Sequence, residues 1–178
     1  VPQGKKIDIH PDLIANAEKN PTTIDNLHCM FNPHTACVWG GKQKLLVKNS
    51  DPIAQVVKID FNKNSAVNAT MAVGGNFEAA FPVAERLPAP VTCGIHPWAS
   101  GYLFVSDTPY ATTTDKDGNF TIPNLPAGTW EFQAWHERRG YLTADPKWKG
   151  GRFSFTVKSG DNSLGTIKVT PAALEKKN

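Results

Sequence analysis

A thiol and an imidazole lie three positions apart in the chain, at Cys93 and His96. The residues before Cys93 are typical of a strand, and the apolar run at residues 102–105 predicts another, so both groups lie in a short loop between strands. Thiolate and imidazole form a ligand pair that suits copper or zinc. A buried structural cysteine beside a hydrogen-bonded histidine would give the same pattern, so the loop by itself leaves both interpretations open.

Further ligand candidates lie before and after this loop. Two histidines and two cysteines fall within ten positions, from His28 to Cys37. His34 is therefore either a second source of metal ligands or part of a strand pair that packs Cys29. His136 ends an alternating pattern at residues 130–137, where an imidazole on the apolar face is either a core residue or a ligand.

The spacing of strand and turn patterns predicts an all-β protein. Strands are predicted at residues 35–39, 44–49, 55–59, 77–81, 102–105, 130–137, 152–158 and 165–169. Turn residues recur about every ten positions, which favours a β-sandwich. A hairpin is predicted at residues 113–122 because Asp117-Gly118 supports a tight turn. Residues 60–75 are expected to be irregular, and a short helix capped by Asp12 is expected before residue 18.

Composition and charge exclude several classes of function. The 178 residues carry a formal net charge of only +3, with Lys and Arg scattered, so neither nucleic acid nor an anionic membrane is an expected partner. No apolar run approaches the roughly 18 residues of a spanning helix, so no membrane insertion is expected. The chain has no nucleophile elbow, phosphate loop or His-Glu-x-x-His motif, which favours a non-enzymatic protein. The start at Val1 is expected to reflect a processed N-terminus.

Four blocks of sequence resemble a group of extracytoplasmic bacterial proteins, common in planctomycetes, in which a cupredoxin-like domain precedes a carboxypeptidase-regulatory-like, or transthyretin-like, β-domain. The blocks are residues 29–34, 48–53, 93–98 and 114–137. The resemblance implies a cupredoxin-like Greek-key β-sandwich joined to a smaller transthyretin-like β-sandwich. The domains it implies are an N-terminal arm at 1–23, the cupredoxin-like domain at 24–106, the regulatory-like β-domain at 107–171 and a C-terminal tail at 172–178.

The same resemblance implies a copper site, with zinc as the second choice. Cys93 and His96 match the ligand loop of the family. Gln55 stands where the family has a histidine from the first half of the domain, and Ala99 stands where it has an axial methionine. His34 or His136 is then expected to supply the missing imidazole. The implied function is electron transfer or metal handling by an exported, periplasmic or secreted protein that meets a redox or metal-donor protein.

An alternative interpretation is a degenerate site. A Cys29–Cys93 disulfide would remove the thiolate ligand and, in an oxidising compartment, stabilise the sandwich by about 2 to 4 kcal/mol. The protein would then be a structural, carbohydrate-binding or protein-interaction module. If Trp98, Trp135 and Trp148 lie near one another, they would form a sugar-stacking platform for the carbohydrate-binding role.

Overall fold

The computed structural model describes residues 6–175. Within them, the chain divides into two compact units. The first unit is Ile9–Asn124, and the second consists of residues 6–8 and 125–175. A helix at Pro11–Lys19 and residues 107–124 belong to the first unit, which therefore extends past the predicted boundary at residue 106 and includes part of the predicted arm. Part of the arm and of the tail lies outside the described residues. In the described part of the chain, no helix has the length and apolarity needed to span a membrane.

The first unit is a β-sandwich of two mixed sheets. Its elements are α1 (Pro11–Lys19), β1 (Thr22–Leu27), β2 (Met30–Asn32), β3 (Thr35–Trp39), β4 (Lys44–Asn49), β5 (Gln55–Ile59), β6 (Val67–Met71), β7 (Asn76–Ala80), β8 (Ala89–Cys93) and β9 (Ser100–Ser106). One sheet has the order β2-β1-β4-β7 and the other β3-β9-β8-β5-β6. The pairs β1–β4 and β3–β9 are parallel. The chain crosses repeatedly between the sheets in Greek-key fashion, which confirms the predicted all-β class.

Alternation of apolar residues along the strands creates the core between the sheets. On β4, for example, Leu45 and Val47 are buried while Lys44 and Lys48 are exposed. Leu45, Ile59 and Leu103 are among the fully buried side chains of one continuous apolar cluster. Each such side chain contributes roughly 1.5–3 kcal/mol by leaving water. The sandwich is therefore a well-packed frame for the loops at its ends.

In its described residues, the second unit has four short strands. They are β10 (Gly128–Gln133), β11 (Trp135–His136), β12 (Gly140–Tyr141) and β13 (Arg152–Val157), with 3₁₀ turns at Lys149–Gly151 and Pro171–Leu174. β10 pairs antiparallel with β13, and β11 with β12. The rings of Phe132, Phe153 and Trp148 stack in a row, with centroids 5.5 and 4.1 Å apart. Its assignment as a transthyretin-like domain stays a prediction.

The predicted strand at 130–137 is interrupted at Ala134. The N–H of Ala134 donates to the carbonyl of Gly151 at 2.9 Å, and its own carbonyl accepts the N–H of Leu142. Gly151 has a φ of 73°, and a Cβ there would lie 2.5 Å from the Ala134 carbonyl oxygen. A glycine is needed at this crossing, which splits the pattern into β10 and β11.

Four other local predictions are wrong. Residues 165–169 form no strand, residues 67–71 form β6 rather than an irregular segment, and His10 rather than Asp12 caps α1. Residues 113–122 form a turn without flanking strands, because the Asp115 carboxylate binds the N–H groups of Asp117 and Asn119 locally. These hydrogen bonds, led by that of the Asn119 N–H, lower the pKa of Asp115.

Candidate metal centre

The loop that joins β8 to β9 is fixed at both ends by backbone hydrogen bonds. Cys93, the last residue of β8, donates its N–H to the carbonyl of Ala99 at 3.2 Å, and Ala99 donates to the carbonyl of His96 at 2.9 Å. Gly94 donates to the carbonyl of Val56 on the neighbouring strand β5 at 2.9 Å. The loop is thus tied to itself and to the sheet, which holds Cys93 and His96 in a defined arrangement.

Three side-chain donor atoms meet inside this loop. Cys93 Sγ lies 3.6 Å from His96 Nδ1 and 3.1 Å from Gln55 Oε1, and His96 Nδ1 lies 3.0 Å from the same Oε1. Cys93 is 4 % exposed and Gln55 is fully buried, whereas His96 is half-buried. The cluster therefore has a buried floor made by Cys93 and Gln55 and a more accessible side made by the imidazole.

The spacing of these atoms fits one metal ion. Ligands at ordinary zinc–sulfur, zinc–nitrogen and zinc–oxygen distances in a tetrahedral site lie about 3.3–3.6 Å apart. The observed triangle is of that size and needs only a small expansion on its two shorter sides. Its donor set is one thiol, one imidazole and one amide oxygen, with no second imidazole.

Gln55 is held in place by a buried carboxylate. Asp51 is 2 % exposed, and its Oδ2 accepts the Gln55 Nε2 at 2.8 Å and the backbone N–H of Cys29 at 2.9 Å. Asn49, which is 1 % exposed, accepts the Asp51 N–H on Oδ1 and donates from Nδ2 to the carbonyls of Ile53 and Ala72. The turn between β4 and β5 is thereby fixed from both sides.

Within the first unit, the structure brings Cys93, His96 and Gln55 together, but not His34. His34 is exposed and its ring lies edge-on to Tyr102, with centroids 5.9 Å apart. His136 belongs to the second unit, where its Nδ1 accepts the N–H of Arg138. Across residues 6–175, no group of three or more His, Cys, Asp or Glu side chains gathers in a way that could hold a metal ion.

All three cysteines are free thiols in the structure. Cys29 is half-buried in the turn between β1 and β2, where it and His28 both have positive φ angles, of 54° and 56°. Cys37 lies on β3, and burial raises the pKa of its thiol to about 11. Cys37 therefore stays protonated at neutral pH, and a protonated thiol is a poor metal ligand.

Two further positions of the loop, Ala99 and Trp98, differ in exposure. Ala99, at the place of the family's axial methionine, is fully buried and offers no thioether. Trp98 is 67 % exposed, and its ring centroid lies 5.3 Å from that of His96. The accessible side of the imidazole is thus flanked by a large apolar surface residue.

Sequence reasoning named Cys93, His96 and Gln55 but not Asp51. A single aspartate before a proline, in a run of turn residues, is typical of a turn and gives no sign of burial. The available signal was its spacing of four residues from Gln55, across a turn short enough for the two side chains to meet.

Comparison with known proteins gave structural likenesses alone. No family model matches the chain, and no curated protein matches it. Similar solved structures include the copper-containing nitrite reductase of Thermus scotoductus, at 16 % identity and TM-score 0.44, covering 48 % of this chain and 22 % of that one. A purple cupredoxin of Nitrosopumilus maritimus has 19 % identity and TM-score 0.39, over 47 % and 98 % of the two chains. Amicyanin of Paracoccus versutus has 14 % identity and TM-score 0.43, over 52 % and 88 %.

Proposed function

We propose that the first unit binds one transition-metal ion through the thiolate of Cys93 and the imidazole of His96, with the amide oxygen of Gln55 as the third protein donor. The observation that supports this proposal is the meeting of these three atoms within 3.0–3.6 Å, where Cys93 and Gln55 are buried and His96 is half-buried. Copper is the first choice and zinc the second. The sequence match of Cys93 and His96 to the cupredoxin ligand loop points to the same metal.

The donor set favours cuprous copper over cupric copper. Thiolate ligands select Cu(I) and Zn(II), whereas tight cupric sites in cupredoxins use two imidazoles and a thiolate. This chain has one imidazole in the cluster and Gln55 in place of the second. Metal handling is therefore the preferred role, with electron transfer as the other role that the resemblance implies.

Binding requires the chain to give up protons. The thiol of Cys93 must lose its proton, because the thiolate is the form that ligates a metal. His96 must present a ring nitrogen without a proton to the same point. A bound copper ion would supply one-electron chemistry or serve as cargo, and the residues of the loop would set its ligands and shield them from water.

The partner and the location follow from the resemblance rather than from the site. We propose a non-enzymatic, exported protein that meets a redox or metal-donor protein. The exposed side chains of Trp98 and Ile95, on either side of His96 in the sequence, offer an apolar surface that such a protein would cover. Surfaces of this kind are typical of interaction sites when they are contiguous.

A second candidate is a structural or interaction module without metal. The presence of one imidazole instead of two in the cluster favours it, since two strong donors bind a metal less tightly than three. In this case Cys93 would pair with Cys29 in a disulfide. The two interpretations exclude each other, because a disulfide sulfur cannot act as a thiolate ligand.

Elemental analysis for copper and zinc tests the proposal. The purified protein is measured before and after incubation with each metal, in parallel with Cys93→Ser, His96→Ala and His34→Ala variants. We expect one equivalent of copper in the wild type and in His34→Ala, and its loss in the other two. No stoichiometric metal, with a Cys29–Cys93 disulfide found by mass spectrometry, would support the structural module instead.

A further inference from the structure

Asn26 is a fully buried residue whose side chain has no protein partner. On β1, Ile24 and Asn26 both lie on the buried side and are at most 1 % exposed. The backbone carbonyl of Asn26 accepts the N–H of Ser50 at 2.9 Å. Within residues 6–175, however, neither the oxygen nor the nitrogen of its side-chain amide has a hydrogen-bond partner. Since an amide carries two N–H donors and an oxygen with two lone pairs, the whole bonding capacity of this side chain is unused.

The other polar side chains that are buried as deeply do have partners. Asn49, Asp51 and Gln55 are at most 2 % exposed, and each hydrogen-bonds to protein groups. A buried polar group without a partner costs stability, and such groups are nearly always paired with protein or with ordered water. Asn26 is therefore a place in this core where a partner from outside the chain is expected.

Asn49 lies beside Asn26 and can contribute to the same site. The two residues are paired in the parallel register of β1 and β4, and both are buried. Asn49 Oδ1 accepts the N–H of Asp51 at 3.2 Å, and an amide oxygen has a second lone pair. On the other side of Asn26, the register partner on β2 is the apolar Phe31. Asn49 is thus the polar neighbour of Asn26 within the sheet.

The side chain of Asn26 calls for a small ligand that both donates and accepts hydrogen bonds. A cation would leave the N–H groups of the amide unpaired, and an anion would leave its oxygen unpaired. Water pairs with both, and an internal water typically makes about three hydrogen bonds to buried polar groups. One water can accept from Asn26 Nδ2 and donate to Asn26 Oδ1 and to Asn49 Oδ1.

We propose that Asn26 binds one internal water molecule, which links its side-chain amide to that of Asn49 between β1 and β4. β1 leads into the turn that contains Cys29, and β4 leads into the turn that contains Asp51. The water joins the two strands where these turns begin. Its binding involves no ionisable side chain and does not depend on a metal ion at Cys93.

Water-selective NMR of the ¹⁵N-labelled full-length protein tests this proposal. In the reduced, metal-free protein, we expect NOE cross-peaks between water and the side-chain NH₂ protons of Asn26, with the negative sign that marks a long-lived water. Rotating-frame spectra separate these peaks from proton exchange with the solvent.

The control within the same spectra is Asn162. Its NH₂ group donates to the carbonyls of Lys158 and Gly160 at 2.8 and 2.7 Å in an exposed turn. We expect no negative water peak there, because surface water exchanges rapidly. An equal negative peak at Asn162 and Asn26 would contradict a specific site at Asn26.

Asn26→Leu is the matched variant, because it keeps a branched side chain while removing both polar atoms. We expect crystal structures to show an oxygen within hydrogen-bond distance of Asn26 and Asn49 in the wild type and none at that place in Asn26→Leu. The wild-type spectra and crystal decide the question even if the variant does not fold. Absence of the negative NOE at Asn26, or a wild-type crystal structure without this oxygen, would overturn the proposal.

Discussion

The two units of the chain bury their side chains to different depths. In the first unit, Leu45, Ile59 and Leu103 are fully buried, and four polar side chains are at most 2 % exposed, namely those of Asn26, Asn49, Asp51 and Gln55. In residues 125–175, the buried hydrophobic residues are Trp130, Leu142 and Val157, each with 8–9 % exposure. A deep core can hold polar donors in fixed positions, and this chain has such a core in its first unit.

The polar contacts of the two units differ in the same way. Asp51 and Gln55 of the first unit bond to each other out of contact with water. An ion pair of the second unit, between Arg152 and Glu131, is open to solvent. Exposed pairs are worth about 0–1 kcal/mol, whereas a buried polar group left without its partner is costly. Changes at the first site should therefore have the larger consequences.

The largest effect is expected on metal affinity when Cys93 is replaced. Cys93→Ser removes the thiolate, so its affinity for Cu(I) should fall by more than the roughly 10–100-fold that follows loss of an outer hydrogen-bond partner. Cys37→Ser is the matched control, because the Cys37 thiol is buried with a pKa near 11. Competition with a colorimetric Cu(I) chelator measures both. Equal loss in the two variants would refute the assignment of the ligand to Cys93.

A pair of leucine substitutions tests the difference in core depth. Leu45→Ala in the first unit should lower the free energy of unfolding by about 2–5 kcal/mol, since it leaves a cavity in a fully packed core. Leu142→Ala in the second unit should cost about 2 kcal/mol or less, because its 9 % exposed site can relax. Urea unfolding followed by circular dichroism measures both. A larger loss for Leu142→Ala would contradict the comparison.

Gln55→His should strengthen copper binding. The new imidazole would take the place of a weak amide donor, and the Asp51 carboxylate that now binds Gln55 could accept its ring N–H. We expect about a tenfold or greater gain, which corresponds to about 1.4 kcal/mol, together with a visible thiolate-to-Cu(II) band.

The Ala99→Met variant provides a comparison for the gain in copper affinity that we expect for Gln55→His. Ala99 is fully buried, so the longer side chain should destabilise the fold by about 1–3 kcal/mol without the same increase in affinity. A copper affinity of Gln55→His equal to that of the wild type would show that the amide position does not face the metal.

The smallest effect is expected for the pH dependence of stability that comes from Glu85, a carboxylate outside the candidate metal site. Partial burial raises the pKa of Glu85, but hydrogen bonds from Lys63 and Asn64 outweigh it, so its pKa lies below the ordinary value. The stability from this carboxylate is present above the unfolded-state pKa of about 4.3 and is lost as the pH falls through the lower folded-state value. Thermal unfolding between pH 6 and pH 3 should show a smaller decrease in Tm for Glu85→Gln than for the wild type.

The sequence predicted much of the sandwich because several of its strands carry strong local signals. The predicted bounds of β3, β4 and β5 agree with the structure, since each is a short run rich in apolar residues with turn residues nearby. β6 lies at the edge of its sheet and buries only Met71. It was missed although Val67, Ala69 and Met71 alternate with polar residues, because residues 60–66 before it are mostly Asn, Lys and Ser and made the whole segment resemble a loop.

The candidate site was predictable only in part. Cys93 and His96 are close in sequence, and their loop therefore shows in the pattern of residues. The contact of Asp51 with the Cys29 N–H joins two turns 22 residues apart, and the orientation of Gln55 depends on it. Such contacts between turns are set by the packing of the sheets, which the local sequence does not encode.

X-ray absorption at the copper edge tests the central claim most directly, because it reports the ligands of the bound ion. The copper-loaded protein should show one sulfur scatterer per copper, from Cys93, with nitrogen or oxygen scatterers from His96 and Gln55. The sulfur should be absent in Cys93→Ser and present in Cys37→Ser. Copper without sulfur in the wild type, or with the same sulfur in Cys93→Ser, would contradict the proposed site.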